Sequence, residues 1–244
     1  MECGDPGTAL LNTYLDWRVS LEQSGAGVTH SREASLTKIV GILVGPMFPR
    51  YFLALYFLAY VIAAFFWRSY LVKKRTGINP VTLKSSQSVR DFIGRVFKLL
   101  FATIAVVVIV FAFLPGYYDY LVPIHWLEQE AIRLPGSALL LLSLLWTVLA
   151  QSQMGESWRI GIDEKNRTPL VQRGVFRISR NPIFLGMITT LAGLFLVIPN
   201  AVTLLTFALG VVVINVQVRL EEEHLKTLHG DDFVSYCRQV RRWL

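Results

Sequence analysis

An all-α, polytopic integral membrane protein is the fold class that the sequence predicts, and three observations carry it. Hydrophobic residues make up 53% of the 244 positions and charged residues only 17%, which is too apolar for an ordinary soluble domain. Uncharged stretches near the length of a bilayer span recur along the chain. The cations that give the net charge of +7 cluster beside those stretches, where anionic headgroups are nearer partners than nucleic acid, so nucleic acid is set aside.

The elements follow in order. Residues 1–35 are polar and mixed, with Asp5, Asp16, Glu22 and Glu33 among them, and lack the basic start and apolar centre of a signal peptide. They read as a loosely ordered arm with one short helix over Leu10 to Leu21. Leu36, Ile39, Val40, Leu43, Val44 and Met47 then share one helical face. That segment is too short to span and stops at Gly45-Pro46, so it is expected to lie in the membrane interface and to complete an N-terminal arm over residues 1–50.

A two-span region, 51–133, comes next. Tyr51 to Tyr70 is long enough to cross, with Tyr51, Trp67 and Tyr70 as aromatic anchors and Arg68 expected to snorkel outward. Leu99 to Tyr118 is the second span and breaks at Pro115-Gly116. Leu134 to Gly155 is the third and opens a membrane core over 134–244. The run from Asn181 to Val218 carries no charge and is too long for one helix, and Pro199-Asn200 near its middle is a turn signal. It is therefore a tight hairpin of two helices, bringing the spans to about five, with a first arm of about 16 residues that is short for a span.

Lysine and arginine placement sets the expected orientation. Lys73, Lys74, Arg75, Lys84, Arg90, Arg95 and Lys98 lie between the first two spans, and Arg159, Lys165, Arg167, Arg173, Arg177 and Arg180 between the third and the hairpin. The second-to-third connection has only Arg133, and the hairpin tip has no charge. The positive-inside rule puts the N-terminus outside and the C-terminus in the cytoplasm. After the hairpin, Arg219, Glu221, Glu222, Glu223 and His224 extend the last helix beyond the membrane edge until His229-Gly230. Asp231 is expected to cap an amphipathic tail helix, with Phe233, Tyr236, Cys237 and Val240 on one face and Arg238, Arg241 and Arg242 on the other.

Two chemistries are excluded by spacing. Cys3 and Cys237 lie at opposite ends and give neither a disulfide framework nor a cysteine metal site. His224 and His229 are five apart, off a common helical face, so no metal is expected. The remaining signal is a convergence. A helical hairpin returns the chain to the side it came from, so Arg180-Asn181-Pro182 and Glu221-Glu222 meet at one membrane face. On charge alone, these groups read first as topology arginines with neutralising acids.

The pattern around them is more specific. Gly155 and Trp158, then Leu170, Gly174, Phe176, Arg180-Asn181-Pro182 and Gly186, and later Glu221-Glu222, Leu225, Gly230, Tyr236 and Val240 resemble the isoprenylcysteine carboxyl methyltransferase family, whose wider group includes phosphatidylethanolamine methyltransferases. The resemblance covers about the C-terminal 95 residues. Val175 stands where that family often has proline, Phe176 and Phe184 where it has tyrosine, Asn181 where it has histidine, and His229 where it has phenylalanine. Asn181 and the final Val240-Arg241-Arg242-Trp243-Leu244 have a bacterial look, which points to a bacterial inner membrane.

The resemblance implies methyl transfer from S-adenosylmethionine to a membrane-embedded lipid or isoprenoid-type acceptor, at a carboxylate or a headgroup amine. It assigns Gly174, Phe176, Arg180, Asn181, Pro182, Gly186, Glu221 and Glu222 to the cofactor. Glu222, Arg219 and Arg177 are the candidate catalytic residues, the arginines holding an anionic acceptor or lipid phosphate and either Glu221 or Glu222 available as a base. Trp158 reads equally as an interface-belt tryptophan or as part of the cofactor loop. Two alternatives keep the membrane fold: a sterol-reductase-like enzyme using NADPH, and a non-catalytic lipid-binding protein.

Overall fold

The computed structural model describes residues 48–77, 89–158 and 169–244. The helices expected at Leu10 to Leu21 and Leu36 to Met47 lie outside them. The chain divides into two compact units, Met1–Pro49 and Arg50–Leu244, and from Arg50 onward the elements below belong to the second.

The protein is an all-α polytopic membrane protein. Helix α1 (Phe48–Val61) widens into a π-helical turn over Ile62–Trp67 and continues as α2 (Arg68–Thr76). Gly77, at φ 70°, ends it in the left-handed conformation that glycine adopts without strain. A π turn disturbs the i→i−4 ladder, and the side-chain amide of Gln151 donates to the Ala64 carbonyl at 3.1 Å from the neighbouring helix. Ala64 is small enough to let the two helices meet there.

Helix α3 (Val89–Phe113) stops where Pro115 begins a 3-10 turn, Pro115–Leu121. The second span therefore ends five residues before Tyr118. Helix α4 (Glu130–Met154) starts four residues before the expected Leu134 and takes Pro135 within its early turns. Helix α5 (Pro182–Val197) and helix α6 (Ala201–His229) form the hairpin, with Asn200 between them. Asn200 accepts from Thr203 N–H at 2.9 Å and Thr203 Oγ1 accepts from Asn200 N–H at 3.2 Å, a reciprocal cap that explains the turn. The loop before α4 is stitched to this tip by Ile124 N–H to Pro199 O and Ala201 N–H to Val122 O. A last helix, α7 (Asp231–Gln239), follows Gly230.

Glycines set the tightest interface. A side chain at Gly136 would run into Leu196 and Val197, one at Gly193 into Leu140, and one at Gly186 into Thr147. Small residues thus let α4 and α5 pack backbone to backbone, the usual device where lipid removes the hydrophobic drive between helices. The outward faces are apolar: Leu55, Phe66, Leu99, Ile109, Leu142, Leu145, Leu205 and Val212 are all exposed, a surface suited to acyl chains and not to water. Among the described residues four helices are long and apolar enough to cross a membrane, and the 16-residue α5 is a shorter apolar helix.

Length then places the mouth of the hairpin. At 1.5 Å per residue α5 is about 24 Å long and α6 about 43 Å, so α6 outruns both α5 and a hydrocarbon core of about 30 Å. Its uncharged part ends at Val218, and the turns from Arg219 onward carry the charged residues that stand beside Arg180 and Asn181.

Arg68 departs from its expected snorkelling position. It is only 8% exposed, and its guanidinium donates to the Gly155 carbonyl at the C-terminal end of α4. A cation there complements the negative end of the helix dipole, which a lipid-facing arginine does not.

Candidate active site at the mouth of the hairpin

The start of α5 is built from residues without spare hydrogen-bond capacity. Pro182 occupies the first helical position, where no N–H is needed, and its carbonyl accepts from the Trp146 indole at 2.8 Å. Asn181 precedes it at the N-cap, yet its side chain does not cap the helix. It turns to Glu222, donating to Oε1 at 3.1 Å, and to the Arg242 carbonyl at 3.3 Å.

Glu222 is the hub. Its Oε1 also accepts from Arg180 Nε at 3.2 Å and Nη2 at 3.1 Å, and its Oε2 accepts from Arg242 Nε at 3.0 Å and Nη2 at 2.7 Å. Both oxygens are therefore filled. Arg180 spends its remaining nitrogen on the carbonyls of Val240 at 2.6 Å and Cys237 at 3.2 Å, while its backbone N–H donates to Arg241 O. Ser179 Oγ adds a bond to Arg242 O at 3.2 Å. Three segments far apart in sequence, 179–181, 222 and 237–242, are closed into one clasp, and Trp243 packs beyond it against the cluster of Leu191, Ile214 and Val218.

The turn Gly174–Arg177 is fastened on two sides. Gly174 has φ 61° and lies against the Gln153 amide, so a side chain there meets both backbone strain and a clash. Gln153 Oε1 accepts from Val175 N–H at 2.7 Å, and the Tyr236 hydroxyl donates to the Phe176 carbonyl at 2.6 Å. Val175 and Phe176 pack with Ala150 of α4. The turn is thereby held between α4 and α7.

The two glutamates diverge. Successive residues on a helix point about 100° apart, so Glu222 faces the clasp while Glu221 shares a face with Ile214 and Val218, toward α3 and α5. Among the described residues, nothing donates a hydrogen bond to Glu221. Both lie past Val218, outside the apolar layer, and their acidities separate. Burial raises Glu222, but the hydrogen bond from Arg242, the charge of Arg180 and the amide of Asn181 outweigh it and hold the carboxyl below its ordinary range. Burial, and then the charge of Glu222, push Glu221 up to about 7.

Of the residues singled out in the sequence, Arg180, Asn181 and Glu222 are brought into direct contact; Pro182 follows Asn181 and bonds Trp146, while Gly174 and Phe176 lie on the separate turn held by Gln153 and Tyr236. Gly186 serves the α4–α5 seam one turn in. Arg177 is exposed on its turn, and Arg219 is exposed on the side of α6 away from Glu221. Arg219 instead lines an open cleft of about 570 Å³ with Lys226, Glu222, Glu223, Phe233, Cys237, Arg180 and Arg242. Trp158 is buried, at 3% exposure, which removes its interface-belt reading.

Three features differ from expectation or were missed. Asp231 does not cap α7: Gly230 holds the N-cap with no side-chain bond, and Asp231 and Asp232 sit in the first turn, where the helix dipole favours them. Arg242 does not join Arg238 and Arg241 on a solvent face, because the chain leaves helix after Gln239 and folds back to Glu222. Gln153 was missed; a lone amide at the end of an apolar span was its available signal.

Comparison with known proteins bears on this region. Residues 132–232 are matched by the family model of phospholipid methyltransferases, a stretch that takes in α4, α5, α6 and the first residues of α7. This is the group the motifs resembled, and it is a family of membrane methyltransferases. No curated protein matches the chain.

Proposed function

We propose that the protein transfers a methyl group from S-adenosylmethionine to a membrane-borne lipid acceptor at the mouth of the α5–α6 hairpin, within a core spanning residues 134–244. The observation that carries this reading is the convergence at the mouth. The clasp centred on Glu222 fixes the Arg180-Asn181-Pro182 stretch against α6 inside the matched region.

That donor set fits the cofactor. When bound, S-adenosylmethionine supplies a methyl group already activated on a positively charged sulfur, so the protein's task is alignment and exclusion of water. The carboxylates of Glu222 and Glu223 in the cleft suit a cationic reactant. Gly174, Phe176, Pro182 and Gly186 shape the adjoining wall, and Arg180, Asn181 and Glu222 keep it rigid. Arg219 and Lys226, both exposed in the cleft on the other side of α6, suit the phosphate or other anionic part of a lipid headgroup, and Arg177 suits one at the rim. The excess of lysine and arginine beside this end of the helices favours a cytoplasmic mouth. A polar cofactor then enters from the cytoplasm and an acyl-chain acceptor sideways from the bilayer.

Isothermal calorimetry on the purified full chain tests this reading. Saturable binding of S-adenosylhomocysteine, with none for reduced nicotinamide cofactor, is the expected result. Binding of the nicotinamide alone would replace it with the reductase reading, and binding of neither with a non-catalytic lipid-binding role.

A further inference from the structure

We propose that the cleft between α6 and α7 binds a phospholipid of net negative charge, with its phosphate at Arg219 and Lys226 and an acyl chain along the exposed apolar stripe of α6. The inference goes beyond methyl transfer and shares with that reading only the placing of this end of α6 at a lipid surface.

Two helix faces build the cleft. Arg219, Glu222, Glu223 and Lys226 stand at i, i+3, i+4 and i+7 on α6 and form one stripe along it. Phe233 and Cys237, four apart on α7, line it from the second helix, and Arg180 and Arg242 complete the lining. Its volume of about 570 Å³ falls within the range of about 300–1,000 Å³ usual for small-molecule sites, room for a headgroup.

The charges in it are not equivalent. Arg180 and Arg242 are committed to Glu222 through paired hydrogen bonds. Arg219 and Lys226 are exposed, and among the described residues neither makes a hydrogen bond or an ion pair. Four cations line the cleft against two carboxylates, a net charge of +2. A cationic reactant beside Glu222 and Glu223 would make that excess larger. It calls for an anion, and a zwitterionic headgroup would offset none of it.

The surface leading into the cleft selects a lipid over a soluble anion. Leu205, Leu209, Val212 and Val216 are 58%, 45%, 60% and 37% exposed, and they recur every three or four residues. Continued past the end of the uncharged run at Val218, the same spacing reaches Arg219, Glu223 and Lys226. One exposed face of α6 is therefore apolar up to Val216 and charged from Arg219 onward, the order of chain and headgroup in a phospholipid. With the run in hydrocarbon, Arg219 comes to the depth of the lipid phosphates, and Lys226 stands about 10 Å farther along the axis. A guanidinium takes a phosphate through two parallel donors, and the lysine ammonium adds a mobile point charge.

Calorimetry on the purified full chain in micelles of uncharged detergent tests the site, with short-chain phosphatidylglycerol, short-chain phosphatidylethanolamine and inorganic phosphate as titrants. Saturable binding of phosphatidylglycerol is expected, about tenfold or more tighter than either of the others. Arg219→Gln combined with Lys226→Gln should weaken it by about 10- to 30-fold, since each cation beside an anionic lipid contributes about fivefold. Arg238→Gln combined with Arg241→Gln, which removes two exposed cations outside the cleft, should leave it within about twofold of the parent. Equal losses in the two double variants would reduce the site to diffuse surface attraction and overturn the proposal. Equal affinity for the ethanolamine lipid would overturn the requirement for net charge, and equally tight inorganic phosphate would give the cations to a soluble anion. Phosphatidylglycerol binding by a chain that does not bind S-adenosylhomocysteine would uphold this site and remove the methyl-transfer reading.

Discussion

Replacing Glu222 by alanine removes the group on which the mouth of the hairpin closes. Arg180 and Glu222 are each only 11% exposed at the side chain, so the substitution leaves a guanidinium enclosed without its counter-ion. Breaking a buried pair from one side costs about 3–5 kcal/mol. Arg180 keeps two carbonyl acceptors, Val240 O and Cys237 O, which places the expected loss near the lower end, at about 3 kcal/mol. The Arg242 arm is 37% exposed and adds little beyond that. Denaturant unfolding in micelles measures the change, and Arg180→Met combined with Glu222→Met should cost clearly less than the sum of the two single variants. A loss below about 1 kcal/mol, or additive singles, would show that the clasp is a solvated surface contact and refute the argument.

Two further outcomes follow from the same packing. Gly186→Val should destabilise the α4–α5 pair by about 1–3 kcal/mol because the new side chain meets Thr147, and Thr147→Ala should restore part of it in the double variant, read as a melting temperature. Because the Glu222 carboxyl is held below its ordinary value, its stabilising contribution is fully present above about pH 4.3 and is lost as pH falls through the depressed value. The stability difference between the parent and Glu222→Ala should therefore stay constant through pH 5 and shrink only under stronger acid; its loss near pH 6 would contradict the assignment.

The membrane helices were legible because length and the absence of charge are local properties. Asn181 to Val218 announced a hairpin by being too long for one span, and Pro199-Asn200 marked its turn through the cap that Asn200 makes with Thr203. The meeting of Arg180 and Asn181 with Glu222 followed from that geometry alone. What the sequence hid were contacts with no side-chain signature. Arg180 binds two main-chain carbonyls of the tail, and carbonyls look alike at every position. The reversal after Gln239 sends Arg242 inward, although its spacing fits a solvent face. Arg68 was misread for a related reason: an arginine near a span's end looks the same whether it reaches for headgroups or caps a neighbouring helix. That Glu222 and not Glu221 joins the clasp was likewise invisible, since it depends on what each faces across the bundle.

The central claim is that this mouth binds the methyl-donor cofactor, and titration calorimetry with S-adenosylhomocysteine tests it most directly. The account predicts saturable binding at one site per chain. Absence of binding to a folded, full-length protein, or saturable binding of reduced nicotinamide cofactor in its place, would contradict it.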